Sequence, residues 1–211
     1  MSLDAIEAEF KNGCSEDFSK DDFMFWKKRG AFRKKAGSEF EQLVHFRILD
    51  IGSFIVEPSY SIRHIEVERI FHNAMQTPKK FADMTSVVWP RAGLLIPNVG
   101  KDFVIELATE SITDSITNFL NIYRDYGASF LSQHSSLEEL DRVLNNAPLD
   151  PCPFQPSPLH RCGFGIIVAK MLHGSAAKAT IESHCSVVEK LDGGFHMPKI
   201  HDLVGAVSML A

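Results

Sequence analysis

The strongest pattern in the chain is an alternation of apolar and polar positions across residues 38–62. In SEFEQLVHFRIL, Phe40, Val44, Phe46 and Ile48 fall on one face, with Glu39, Glu41, His45 and Arg47 on the other. SFIVEPSYSI keeps the same period and places Phe54, Val56, Tyr60 and Ile62 together. A period of two belongs to a strand, because successive side chains point to opposite faces of a sheet. Between the two runs, Asp50-Ile51-Gly52 predicts a three-residue hairpin loop with Gly52 in the left-handed conformation. Pairing Leu49 with Ser53 sets Ile48 against Phe54 and Phe46 against Val56. The same register puts His45 beside Glu57 and Glu39 beside Arg63, and a slip of one residue would mix the two faces. Pro58 has no N–H to give a ladder and marks a bulge or an edge.

Other segments follow a longer period. LDAIEAEF places Leu3, Ile6 and Phe10 at helical spacing, with Gly13 as a stop. Ser19 and Asp22 have capping-box spacing, which predicts a second helix through Phe23 and Trp26 ending at Gly30. IEVERIFHNAM reads equally as a strand extension or a short helix. Short strands are expected at TSVVW, around GLLI and in DFVIEL. Ile112, Ile116, Phe119, Leu120, Tyr123 and Phe130 then form one helical stripe, and Ser135-Ser136 begins another helix ending near Asn145-Asn146. Five prolines within residues 147–158 make that stretch an irregular connector. Helices are expected at about 160–172, 175–191 and 198–210, separated by His173-Gly174 and Gly193-Gly194.

Composition narrows the class. With 45% hydrophobic and 23% charged residues over 211 positions, the chain can bury a full core. No apolar run approaches the ~18–20 residues that span a bilayer. Acids stand near the N-terminus where a signal peptide needs basic and apolar regions, so a cytoplasmic location is expected. Cys14, Cys152, Cys162 and Cys185 are scattered without a CxxC pair, which fits free thiols in a reducing compartment. Charge is uneven: residues 102–150 hold nine acids against Arg124 and Arg142, whereas KKRGAFRKK at 27–35 holds six cations. A net charge of −5 with an acidic middle argues against nucleic acid as the main partner, since phosphate neutralisation supplies most non-specific affinity.

The segment WKKRGAFRKKAGSEFEQLVHFRI, preceded by an aromatic stretch, resembles the opening of a bacterial family known as domain of unknown function 4304. The resemblance continues through Ile112–Tyr123 and FLSQHSSLEELDRVL and covers most of residues 18–145. The chain departs from the family pattern at Gly30-Ala31-Phe32, one residue longer than the Gly-Phe expected there. What the resemblance implies is an α+β domain; it brings no activity and no catalytic residue.

Chemistry is sparse. Cys162-Gly163-Phe164-Gly165 holds a GxG without the third glycine of a dinucleotide-binding turn, and GxSxG, P-loop and HExxH motifs are absent. His160, Cys162, His184, Cys185, His196 and His201 crowd the last part of the chain without tight ligand pairs, so neither metal nor cofactor is implied. His45 beside Glu57 would supply the first two parts of an acid–base device; the plainer reading is a cross-strand pair. Of the basic run, Lys27–Arg29 are expected to complement a helix end, while Arg33, Lys34 and Lys35 lead into a strand and are free to meet a partner.

These readings converge on an α+β protein with an antiparallel sheet of four to five strands, helices on one face and a C-terminal helical subdomain. The expected division is a core at 1–146, the connector at 147–158, and C-terminal helices at 159–211. The function expected is a non-enzymatic protein-interaction domain of immunity or adaptor type. Binding is placed on Arg33, Lys34, Lys35, His45, Arg47, Glu57 and Arg63, with a protein as partner and no membrane. The alternative is a small-ligand binder or enzyme with a cleft between the sheet and the C-terminal helices.

Overall fold

A computed structural model describes residues 2–107, 111–191 and 193–209. Helix α1 (Leu3–Lys20) leads into strands β1 (Met24–Trp26), β2 (Ala31–Ala36), β3 (Phe40–Asp50) and β4 (Phe54–His64). Helices α2 (Ile65–Met75) and α3 (Lys79–Ala82), strand β5 (Ile105–Glu106) and helices α4 (Ile112–Ile122) and α5 (Ala128–Gln133) follow. The rest is helical: α6 (Leu137–Asn145), α7 (Pro158–His173), α8 (Lys178–Leu191) and α9 (Met197–Ser208). The strands form one sheet in the order β1-β2-β3-β4-β5, so the fold is α+β with a C-terminal helical region. No helix among the described residues is long and apolar enough to cross a membrane.

The chain divides into two compact units, residues 1–61 with 89–133 and residues 62–88 with 134–211. This grouping cuts across the consecutive division at 146 and 158. The proline-rich stretch itself carries no helix or strand between α6 and α7.

In the first unit an aromatic core lies between the sheet and α1 and α4. Phe18 stacks on Phe32 with ring centroids 4.4 Å apart, and Phe10 and Phe46 approach to 5.1 Å. Phe119 and Tyr123 close the cluster edge-on against Phe18 at 6.1 and 4.8 Å. Offset and edge-on pairs of this kind add stabilisation beyond the area they bury. Gly13 does not stop α1, because α1 runs against α4 and a Cβ at Gly13 would sit 2.5 Å from Ile116 Cδ1. The close approach uses the missing side chain, so tertiary packing overrides the breaker. Past Ile122, α4 continues through a π turn at Tyr123–Gly127 into α5, where Gly127 lies under the buried Tyr60 ring. A Cβ there would meet Tyr60 Cε1 at 2.3 Å. Gly127→Ala is therefore expected to cost about 1–3 kcal/mol through overpacking, read as a lower urea midpoint with unchanged slope.

The second helix expected over 19–29 is not formed. Ser19 Oγ donates to the Glu16 carbonyl (2.8 Å) inside α1, and Asp22 takes a left-handed conformation with φ +65° that breaks the helix. Residues 24–26 then pair with β2 across a four-residue loop, Trp26 opposite Ala31 and Met24 opposite Arg33. Lys27, Lys28 and Arg29 thus occupy a hairpin loop and complement no helix end. The 38–62 hairpin is present, with Gly52 at φ +98°, but its strands end at Asp50 and resume at Phe54. The loop lies one residue later than expected. TSVVW and GLLI form no full strands: Val88 and Arg91 make single bridges to Ile62 and Ser59, and Ala92–Leu94 is a 3-10 turn. β5 pairs with β4 at Ile55 and Val56, so Pro58 sits in the gap before the Ser59 bridge, where no ladder bond is needed from it.

In the second unit, α2 resolves the ambiguous IEVERIFHNAM as a helix. His64 caps it, its Nδ1 accepting from the Val67 N–H at 3.3 Å. Phe71 packs against Phe164 of α7 at 4.6 Å, and a Cβ at Gly163 would meet the Phe71 ring at 2.2 Å. The Cys162–Gly165 stretch lies inside buried helix α7, not at a phosphate-binding turn; its glycines admit neighbouring side chains. Arg161, 6% exposed, donates to the carbonyls of Leu144, Ala147 and Asp150 and so fixes the path from α6 into the proline-rich stretch.

Candidate functional site

Of the predicted site residues, Arg33, Lys35, His45, Arg47 and Glu57 share one sheet face in the first unit, where the strand register puts Ala31 opposite His45 and Arg33 opposite Leu43. On that face Arg33 donates to Glu41 Oε1 (3.3 Å) and lies over the Trp26 ring, 4.6 Å from its centroid. Arg29 approaches the same ring from 5.7 Å. An arginine held by a carboxylate and an indole is already satisfied, so the guanidinium of Arg33 is spent within the fold. Lys34 lies on the other face over Phe23, at 5.8 Å, while Lys35 is exposed.

His45 and Glu57 do not form the expected pair. His45 Nε2 lies 2.9 Å from Ser61 Oγ, and its ring rests against Trp89 at 5.4 Å. Trp89 in turn donates from Nε1 to Ser59 Oγ at 2.9 Å. Glu57 Oε2 reaches Arg47 (3.6 Å) and its Oε1 reaches Arg91 (3.6 Å), which also approaches Asp102 at 3.7 Å. The later turn accounts for the change: it brings Arg47, not His45, across from Glu57. Sequence pattern gave no sign of Trp89 or Arg91, since each reaches the face through a long-range contact. Burial holds the His45 pKa down to about 3, with the Arg29 charge adding to the effect. A histidine in that state carries a single ring N–H and no charge at neutral pH, and offers little basicity. The polar face is also not the exposed surface its alternation predicted: Glu41 is 6% exposed and His45 8%.

Arg63 falls in the second unit, where its Nε and Nη2 donate to Glu68 Oε2 at 2.9 and 2.6 Å. Thr85 Oγ1 links this pair (3.5 Å) to His72 Nε2 (2.7 Å). The C-terminal histidines are dispersed. His160 Nδ1 bonds Ser157 Oγ at 2.7 Å, and His173 Nε2 meets Asp141 at 3.0 Å. The Asn145 amide nitrogen donates to Asp141 and to the Gly165 carbonyl, so its oxygen faces His184 and must accept from His184 Nε2–H (2.6 Å). Among the described residues no group of three or more His, Cys, Asp or Glu is placed to hold a metal ion.

Three grooves lie elsewhere. One of about 610 Å³ runs along α1 and α4, one of about 430 Å³ lies among the prolines of 148–158, and one of about 540 Å³ lies on α8 and α9. None of the three is lined by His45, Glu57, His160, His184, His196 or His201. The chain matches no family model, no curated protein and no solved structure.

Proposed function

We propose that the chain is a non-enzymatic protein-interaction domain of immunity or adaptor type, and that it meets an acidic partner at the β1 edge. The observation that carries this reading is how the cations of 27–35 divide. Arg29, Arg33 and Lys34 turn onto aromatic rings, and Arg33 onto Glu41. Lys27, Lys28 and Lys35 are exposed, the first two in the loop at one end of β1 and the third beyond its other end. β1 is the outermost strand of the sheet, with Met24 71% exposed. An outermost strand offers backbone donors and acceptors to an added extended segment, and flanking cations select and orient an acidic one. His45, Glu57 and Arg33 are each engaged by other side chains of the fold, which supports the same reading, since groups already satisfied do not wait for a substrate.

A cytoplasmic location belongs to this proposal and is supported by four free cysteines, three of them buried. Membership of the domain of unknown function 4304 family is likewise proposed, on the residues of 18–145. The combined change Lys27→Glu, Lys28→Glu, Lys35→Glu is expected to weaken capture of a native partner at least about tenfold while leaving the melting temperature within a few degrees. Wild-type capture should fall as salt rises. Retention that ignores both salt and the charge reversal would overturn the proposal, as would a nuclease-sensitive partner.

A further inference from the structure

We propose that the unit of residues 62–88 and 134–211 carries a binding site for a single-chain aliphatic carboxylate in the groove along α8 and α9. The site is independent of the β1 edge. The groove, about 540 Å³, has an apolar floor of Ile181, Val204 and Val207. Along α8 its wall is formed by Lys178, Ile181, Cys185 and Glu189, successive positions three or four residues apart and therefore one stripe of the helix. At a rise of ~1.5 Å per residue the stripe is about 16 Å long, the reach of an extended chain and not of a compact ligand.

Charge gives the groove a direction. Lys178 opens α8, and Lys170 in the last turn of α7 and Ser175 in the intervening 3-10 turn line the same end. Lys178 makes only a long 3.9 Å contact to Glu182 across largely exposed side chains. Lys170 is in no ion pair among the described residues. Glu189 stands at the far end of the stripe. Glu182 and Ser186 also line the groove, Glu182 on its exposed rim. Both lysines gather at one end, the carboxylates of Glu182 and Glu189 lie beyond them, and an anionic head is favoured at the lysine end over the apolar floor. Burial raises the Cys185 pKa, with Glu182 adding, so its thiol stays neutral and extends the apolar wall. One occupant satisfies these features together: a carboxylate head at Lys170 and Lys178 with its alkyl chain over Ile181, Val204 and Val207. Adding cations on the rim to a preformed apolar cleft is the usual division of labour in such sites, apolar contact giving affinity and a few polar groups orientation.

Calorimetric titration of the full chain with dodecanoate and with dodecylamine, each below its micelle concentration, tests the assignment. Dodecanoate is expected to saturate at one molecule per chain and to bind at least about tenfold more tightly than the amine. The combined change Lys170→Glu, Lys178→Glu should reverse that preference, and Val204→Trp, filling the floor from a half-buried position, should abolish both. On the unaltered chain, dodecanoate should shift the backbone amide resonances of residues 178–189 and 204–208, a readout that needs no variant. Equal affinity for the amine, uptake without saturation, or shifts confined to other helices would overturn the site.

Discussion

Glu68→Ala is expected to destabilise the unit formed by residues 62–88 and 134–211 by roughly 3–5 kcal/mol. Glu68 is 2% exposed, and the side chain of Arg63 is only 14% exposed. Two guanidinium nitrogens of Arg63, Nε and Nη2, donate to the same carboxylate oxygen of Glu68, at 2.9 and 2.6 Å. Removing the carboxylate leaves a cation in a place water barely reaches and also removes an acceptor that Thr85 shares. The cost comes from stranding the charge, not from the net worth of the pair. Arg63→Met combined with Glu68→Leu should therefore recover much of the loss, because both members of the buried pair are then removed together. Urea unfolding followed by circular dichroism reads both variants. A double variant as unstable as Glu68→Ala would show that packing, and not desolvation, sets the penalty.

The second large effect is acid destabilisation. Burial is the leading cause holding His72 and His184 down to about 4, assisted for His72 by the charges of His160 and Arg63 and for His184 by that of Arg161. His45 is held to about 3. A histidine in the unfolded chain titrates near ~6.5, so in each case the folded value is the lower one. The unfolded chain then binds more protons, and the stability contributed is complete above about pH 6.5 and lost as pH falls toward 4 for His72 and His184 and toward 3 for His45. Each histidine contributes a slope of about 1.4 kcal/mol per pH unit within its window. Denaturant midpoints at stepped pH should show a steep fall below about pH 6, and His72→Gln should reduce the slope by one histidine's share. Proton resonances of the three rings should show no titration near ~6.5. A flat stability profile between about pH 7 and pH 5 would contradict the buried neutral state.

The elements legible in the sequence were those whose local period and punctuation agree. The 40–62 alternation, the α4–α5 stripe and the Ser136 cap of α6 each combine a repeat with a stop or start residue. Where these signals disagreed, tertiary contact decided. Gly13 reads as a stop, yet α4 packs where its side chain would be. Ser19 and Asp22 read as a helix start, yet pairing with β2 draws residues 24–26 into a strand. TSVVW has the composition of a strand and makes one bridge, Val88 to Ile62.

The candidate site was less legible than the fold. His45, Arg47 and Glu57 were rightly placed on one face, since a shift of the turn by one residue moves partners by two positions and keeps faces intact. Which of them touch depended on that shift, and the touching pair is Arg47 with Glu57. Trp89 and Arg91 came to the face from positions that no local period connects to it. The sequence by itself determined which residues could share a face, because backbone geometry imposes periods of 2 and 3.6 on any chain. Only the tertiary structure decided which cations stay exposed and which lie against Trp26, Phe23 and Glu41. It also decided which histidines are buried and where the α8–α9 groove opens, because each depends on residues far apart in sequence meeting in space.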